Sequence, residues 1–220
     1  MAHYDLEEQE QIDSLKTWWK MYGNLITGLV TAAALGVVSW QGWNWYQRNQ
    51  TAQAAAVFGV LEQAAAVRDA QRAKTAAGEL AEKFPATTYA PLGALVDAKM
   101  SFEAGDLKTA KVQLAWAADH SKDELKDVAR LRLAAVLLDE QAYDEALKQL
   151  EMAPAAAFVS RFAELKGDVL AAQGKKADAR TAYQLAIDKL LVKGDPVAAR
   201  GASAYRELLQ QKLDSMGGAA

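Results

Sequence analysis

The 220-residue chain contains no cysteine. This excludes disulfides, thiolate metal sites and a cysteine nucleophile, and it leaves the redox compartment open. Histidine is almost as scarce, at two residues. His3 stands in the N-terminal tail, and His120 follows Asp119 at the end of a helical pattern, where capping is the expected role. The four prolines fall at helix edges and runs of β-branched residues are missing, so no strand is expected. Without strands there is no strand–glycine-loop–helix arrangement to cradle a phosphate. The acidic groups Asp123/Glu124/Asp127 and Asp139/Glu140 lack metal-ligand spacing, and the first group suits the positive end of a helix. No basic patch stands out, which argues against nucleic acid as a partner. No catalytic residue, cofactor site or metal site is identified, and the chain is read as non-enzymatic.

Charge supplies the most informative absence. Residues 21–47 carry no charged residue, although 24% of the chain is charged. A membrane-spanning helix needs roughly 20 predominantly apolar residues, whereas a helix buried in a soluble core is usually shorter and keeps a polar stripe. Five of the six tryptophans gather at the two ends of the segment: Trp18 and Trp19 just before it, Trp40, Trp43 and Trp45 in its last residues. Indole rings favour the headgroup level of a bilayer. Tyr22 to Trp43 covers about 31 Å at about 1.5 Å per residue, close to a hydrocarbon thickness. A cleaved signal peptide would have a basic leader and a shorter apolar run. Here the head carries Asp5, Glu7, Glu8, Glu10 and Asp13 against Lys16 and Lys20, and the small-x-small motif Ala52-Gln53-Ala54 lies well past the apolar run. The segment is therefore expected to remain as an anchor. Lys16 and Lys20 precede it and only Arg48 follows closely, a bias that places the head in the cytoplasm.

The resulting organisation is an acidic amphipathic head (1–20), a signal-anchor span (21–46), a helical domain (47–214) and a tail (215–220). Within the span, Gly28, Ala32 and Gly36 recur every fourth residue and share one helix face. In lipid, small residues on one face allow close approach of another helix, so this face is a candidate packing surface.

Beyond Trp45 the chain is helical throughout, with alanine at about one residue in four. Helices are expected near 50–70, 72–83, 88–104, 107–119, 123–140, 143–152, 156–173, 176–192 and 196–214. Gly105, Gly174 and Gly194 mark helix ends. Ser121 with Glu124 reads as a capping box, and Asp195-Pro196 as a cap followed by the first helical residue.

A repeat of about 34 residues runs through these helices. Its mark is a small residue, an alanine twelve on, an apolar residue four on and an alanine three on. The copies are Ala98-Ala110-Leu114-Ala117, Ala134-Ala146-Leu150-Ala153 and Gly167-Ala179-Tyr183-Ala186, with a weaker Ala64-Ala76-Leu80 ahead of them. Two helices approach closely where a small side chain faces a small one and a larger residue fills the space a turn later. "DVARLRLAAVLLDEQ" is apolar nearly all round, as a sandwiched helix must be. "QRAKTAAGELAEK" is polar, as expected near an end.

This pattern resembles the tetratricopeptide repeat, with "EAGDLKTAKVQLAWA" the closest stretch, although the aromatic positions of that repeat's first helix are missing. The fold expected is all-α: one N-terminal transmembrane helix followed by a tetratricopeptide-repeat-like solenoid. Such stacks bind polypeptide on the concave face lined by first helices. By analogy that face includes Leu92, Leu95, Lys99, Phe102, Val128, Leu131 and Ala135, although inter-repeat core is the simpler reading for most of them.

The head "LEEQEQIDSLKTWWKMYGNLI", the span, the "GWNWYQ" exit and the alanine-rich repeat domain together resemble the YfgM family of bacterial inner-membrane proteins. The resemblance implies an ancillary subunit of the Sec translocon, single-pass, with its repeat domain in the periplasm. It further implies association with a membrane-anchored periplasmic chaperone of the peptidyl-prolyl isomerase type and contact with translocated polypeptides. It carries over no binding residue. The alternative is an envelope scaffold or cell-division coordinator built on a similar repeat domain.

Overall fold

A computed structural model describes residues 4–190 and 196–217 of the chain. The expected caps at Gly194 and Asp195 lie outside the described residues. Among the described residues there is no strand. The elements are α1 (Tyr4–Ala66), α2 (Ala70–Lys83), α3 (Tyr89–Glu103), α4 (Leu107–His120), α5 (Asp123–Asp139), α6 (Tyr143–Leu150), a 3-10 turn (Ala156–Phe158), α7 (Val159–Ala172), α8 (Lys176–Asp188) and α9 (Pro196–Ser215).

Head, span and first domain helix were expected as separate elements, yet α1 is one continuous helix. Nothing in residues 4–66 can stop it: the segment has no proline, and its glycines (Gly23, Gly28, Gly36, Gly42, Gly59) are isolated among good helix formers. The chain divides into two compact units, Met1–Ala52 and Gln53–Ala220. In the first, a stretch of α1 is long and apolar enough to cross a membrane, and only 6% of its most apolar window is buried. A core helix would be mostly covered by protein; this one presents its leucines, valines and tryptophans outward.

In the second unit, the last turns of α1 pair with α2, α3 with α4, α5 with α6 and α7 with α8. Each pair is joined by the same turn. Arg68, Gly105, Gln141 and Gly174, spaced by 37, 36 and 33 residues, all take positive φ (57°, 81°, 62° and 76°). The residue after each closes a six-to-one bond: Asp69 N to Ala64 O (2.9 Å), Asp106 N to Ser101 O (2.8 Å), Ala142 N to Leu137 O (2.8 Å) and Lys175 N to Leu170 O (2.9 Å). This is the Schellman arrangement, and in each case the closing residue is also the N-cap of the next helix. Asp69 and Asp106 additionally accept from Arg72 N and Thr109 N, at 3.0 Å each.

The turns define the register and correct the first copy of the sequence pattern. Seven residues before each left-handed residue stand Leu61, Ala98, Ala134 and Gly167. The first copy is thus Leu61-Ala73-Ala77-Leu80, three residues ahead of Ala64-Ala76-Leu80, and all four are buried. Its sizes are exchanged: a leucine on the first helix faces alanine on the second, where later copies place a small residue against Leu114, Leu150 or Tyr183. The last pairing is the tightest, since a Cβ at Gly167 would lie 2.5 Å from the Tyr183 ring.

Two other expectations fail locally. Ser121 does not cap α5: the N-cap is Lys122, which makes no side-chain cap bond, while Asp123 takes φ +49°. Ser121 instead closes α4 by donating its N–H to Ala117 O, and its hydroxyl is buried without a partner. Asp127 is buried rather than resting at a helix end. Arg130, also buried, donates to Gln149 O (2.6 Å) and Met152 O (3.0 Å), lies 3.4 Å from Asp127, and stacks 5.2 Å from the Phe162 ring centre; Asp127 accepts from Ala155 N at 2.8 Å. By claiming carbonyls at the end of α6, this buried pair stops the helix at Leu150. Ala153 therefore falls in an exposed loop and drops out of the repeat.

Three apolar clusters run along the stack. Trp116 packs against the first and second, and Leu147 against the second and third. α5 lies within the middle cluster, as its apolar sequence requires.

Candidate functional site

α4 packs against both α3 and α5, and a concavity of about 290 Å³ opens between those two helices with α4 at its floor. Ala98, Leu114, Ala135 and Val136 line it with apolar surface; Lys99, Phe102, Arg132 and Asp139 bring an aromatic ring and charge to it. Phe102 is 43% exposed. Burial normally claims a phenylalanine, so an exposed ring beside an apolar floor and mixed charges suits contact with another polypeptide. Lys99 lies 3.7 Å from Glu103, a loose exposed pair that leaves its ammonium accessible.

Of the seven residues expected on the partner face, Lys99, Phe102 and Ala135 line this concavity. Leu95 is 4% exposed and belongs to the middle core, so it is unable to contact a partner. Val128 and Leu131 are half-buried and pack against that core. Leu92 is half-buried and does not line the concavity. Sequence reasoning missed Arg132 and Asp139, although helical spacing from Ala135 (three back, four on) points to both. It missed the floor residues Ala98, Leu114 and Val136 because their alanine-rich pattern reads as packing alone.

On the span, Gly28, Ala32 and Gly36 share one exposed face, and a Cβ at Gly28 or Gly36 would meet nothing within 4 Å. Gly23 differs: a Cβ there would lie 3.1 Å from the Trp19 indole. His120 stacks on Trp116 with ring centres 4.1 Å apart and shares a 2.8 Å hydrogen bond with Trp116 O, a structural arrangement at the end of α4. Among the described residues, no group of three or more His, Cys, Asp or Glu could hold a metal ion.

These features define a class: an all-α protein with one helix capable of crossing a membrane and a stack of tetratricopeptide-like helix pairs. A family model for the tetratricopeptide repeat-like domain matches residues 16–218. The chain is 33% identical to the ancillary SecYEG translocon subunit of Neisseria gonorrhoeae over 213 residues, covering 96% of this chain and 98% of that one. The protein of the same description from Haemophilus influenzae is 32% identical over 83% of this chain and 90% of its own length, and that of Escherichia coli 28% identical over 95% and 96%. The chain belongs to the family of ancillary SecYEG translocon subunits, the YfgM family, which is one of non-enzymatic adaptors.

Proposed function

We propose that this chain is an accessory subunit of a SecYEG translocon in a bacterial inner membrane. The head lies in the cytoplasm, residues 21–46 cross the bilayer, and residues 47–214 form a periplasmic adaptor. The observation that carries the reading is the extent of the match: its relatives are described as ancillary subunits of that translocon, and the likeness runs through span and repeats alike. The groove between α3 and α5 receives segments of translocated polypeptide and delivers them to a membrane-anchored chaperone of the peptidyl-prolyl isomerase type. The face of Gly28, Ala32 and Gly36 packs against a neighbouring membrane helix of the complex.

Site-specific photocrosslinking in cells tests the groove. A photoreactive phenylalanine at Phe102 is expected to capture a secretory chain in transit, the translocon or the chaperone. The same probe at Val112, 62% exposed on α4, is expected to capture none of them. Equal adducts at the two positions would remove the groove from the mechanism.

A further inference from the structure

The groove between α3 and α5 carries a different sign at each end. Lys99 and Ala135 stand six residues before the left-handed residues Gly105 and Gln141, and Glu103 and Asp139 stand two before them. The two acids therefore hold the same place in successive repeats, at the C-terminal ends of α3 and α5. Arg132, nine residues before Gln141, and Lys99 lie towards the other end. The apolar floor of Ala98, Leu114 and Val136 lies between the two signs, with Phe102 as a wall. Arg132 and Asp139 are exposed, and among the described residues neither side chain has an ion-pair or hydrogen-bond partner. Glu140, beside Asp139, is held instead by Lys111 at 2.5 Å, and Lys99 meets Glu103 only at 3.7 Å. Arg132 and Asp139 are about 10.5 Å apart along the helix axis, beyond the three- or four-residue spacing at which helical side chains pair.

The space suits an extended chain. Its volume, about 290 Å³, is at the small end for ligand pockets and gives room for one large side chain with its neighbours. In an extended segment alternate side chains point the same way, so residues i, i+2 and i+4 face the groove together and span about 13 Å at about 3.3 Å per residue. That length matches the separation of Arg132 and Asp139 once the reach of the arginine side chain is added. Charges of both signs in the segment settle each on its own end, whereas a segment of one sign meets repulsion at the other end.

We propose that this groove selects extended segments in which an acidic, a large apolar and a basic residue stand at i, i+2 and i+4, in either order along the chain. The carboxylate pairs with Arg132 and Lys99, the apolar side chain fills the floor beside Phe102, and the cation pairs with Asp139. The inference rests on the groove's role in receiving translocated polypeptide and names the segments it takes.

Fluorescence anisotropy on the full chain in phosphatidylcholine nanodiscs tests the proposal, since a lipid surface without net charge does not attract charged peptides. The probes are short fluorescein-labelled peptides of glycine and serine around an Asp-Ser-Leu-Ser-Lys core, with Asn-Ser-Leu-Ser-Gln and Asp-Ser-Leu-Ser-Asp cores for comparison. The mixed-charge peptide is expected to bind at least tenfold more tightly than either of the others. Arg132→Asp is expected to weaken it at least tenfold. Arg132→Asp with Asp139→Arg should restore it to within threefold, because the peptide then lies in the opposite direction. The neutral peptide should bind wild type and variants alike, which shows the groove intact in each. Failure of the mixed-charge peptide to bind, affinity equal to that of the neutral peptide, tightest binding of the acidic peptide, or no recovery in the double variant would overturn the selectivity. Adducts from Phe102 to secretory chains would then still uphold the groove's role, and their absence would remove both. Photoadducts from position 102 to a second copy of the chain would give the groove to self-association and overturn the proposal as well.

Discussion

At Asp97 the repeat sets an acid where its neighbour sets a leucine. Eight residues before the left-handed turn residue of each pair stand Val60, Asp97, Leu133 and Lys166. Asp97 is 2% exposed, and its Oδ2 has no hydrogen-bond partner. Burial pushes its carboxyl above the ordinary range; Lys74 opposes the shift and Asp106 adds to it. A raised folded-state value means the acid favours the fold only while protonated. Its contribution is complete below the unfolded value near 4 and is lost as pH rises through the folded value. Asp97→Asn removes the ionisation. The amide remains a buried polar group, so only the cost of charging is relieved, and the variant is expected to be more stable than wild type at pH 7. The difference should shrink towards pH 3. Denaturant midpoints across that range check it, and a gap that widens in acid would contradict the assignment.

Gln141 carries a different strain. It holds φ +62° where the second and fourth turns use Gly105 and Gly174. Left-handed backbone costs a side-chain-bearing residue about 1–2 kcal/mol. Gln141→Gly should recover roughly 0.5–1 kcal/mol of this once the entropy of a freer unfolded chain is deducted. A two-state urea melt of the second unit measures the gain.

Element boundaries were largely legible in the sequence because helices stop where their chemistry changes. Gly105 and Gly174 close helices as expected, and α3, α4, α5 and α8 begin within a residue of their expected starts. What was hidden depended on partners remote in sequence. The early end of α6 requires Arg130, 19 residues upstream, to reach Gln149 O. The first repeat was read three residues out of register because Leu61 and Ala77 exchange the large and small roles, and alanine at 64 and 76 matched the pattern by abundance. The groove was half legible: Lys99, Phe102 and Ala135 line it, while Leu95 obeys the same helical spacing but turns into the core. The span allows a test of its own. Because both positions are exposed and a Cβ at Gly28 or Gly36 would meet nothing within 4 Å, Gly28→Leu with Gly36→Leu should leave the protein itself unstrained, and leucine favours insertion. Co-purification with the translocon in mild detergent is expected to fall. Wild-type yield from the double variant would assign docking to the second unit and leave the span a tether.

For the whole molecule, direction across the membrane decides whether the repeat unit can meet chains leaving the translocon. The lysines at 16 and 20 against the arginine at 48 favour a cytoplasmic head, since positive residues near a span are retained inside and acids count little. The acidic head offers no counter-argument for the same reason. The absence of cysteine makes the orientation directly measurable, because any introduced thiol is unique. Val112 is well exposed on α4 in the second unit. Ser14 is exposed in the first unit and bonds only to Gln11 O, in its own helix. Neither substitution to cysteine removes a core contact, so each variant should fold and insert normally. A membrane-impermeant maleimide added to spheroplasts is expected to label Val112→Cys and spare Ser14→Cys until the membrane is lysed. Labelling of Ser14→Cys alone would place the repeat unit in the cytoplasm, where its groove could meet nascent chains only before they cross.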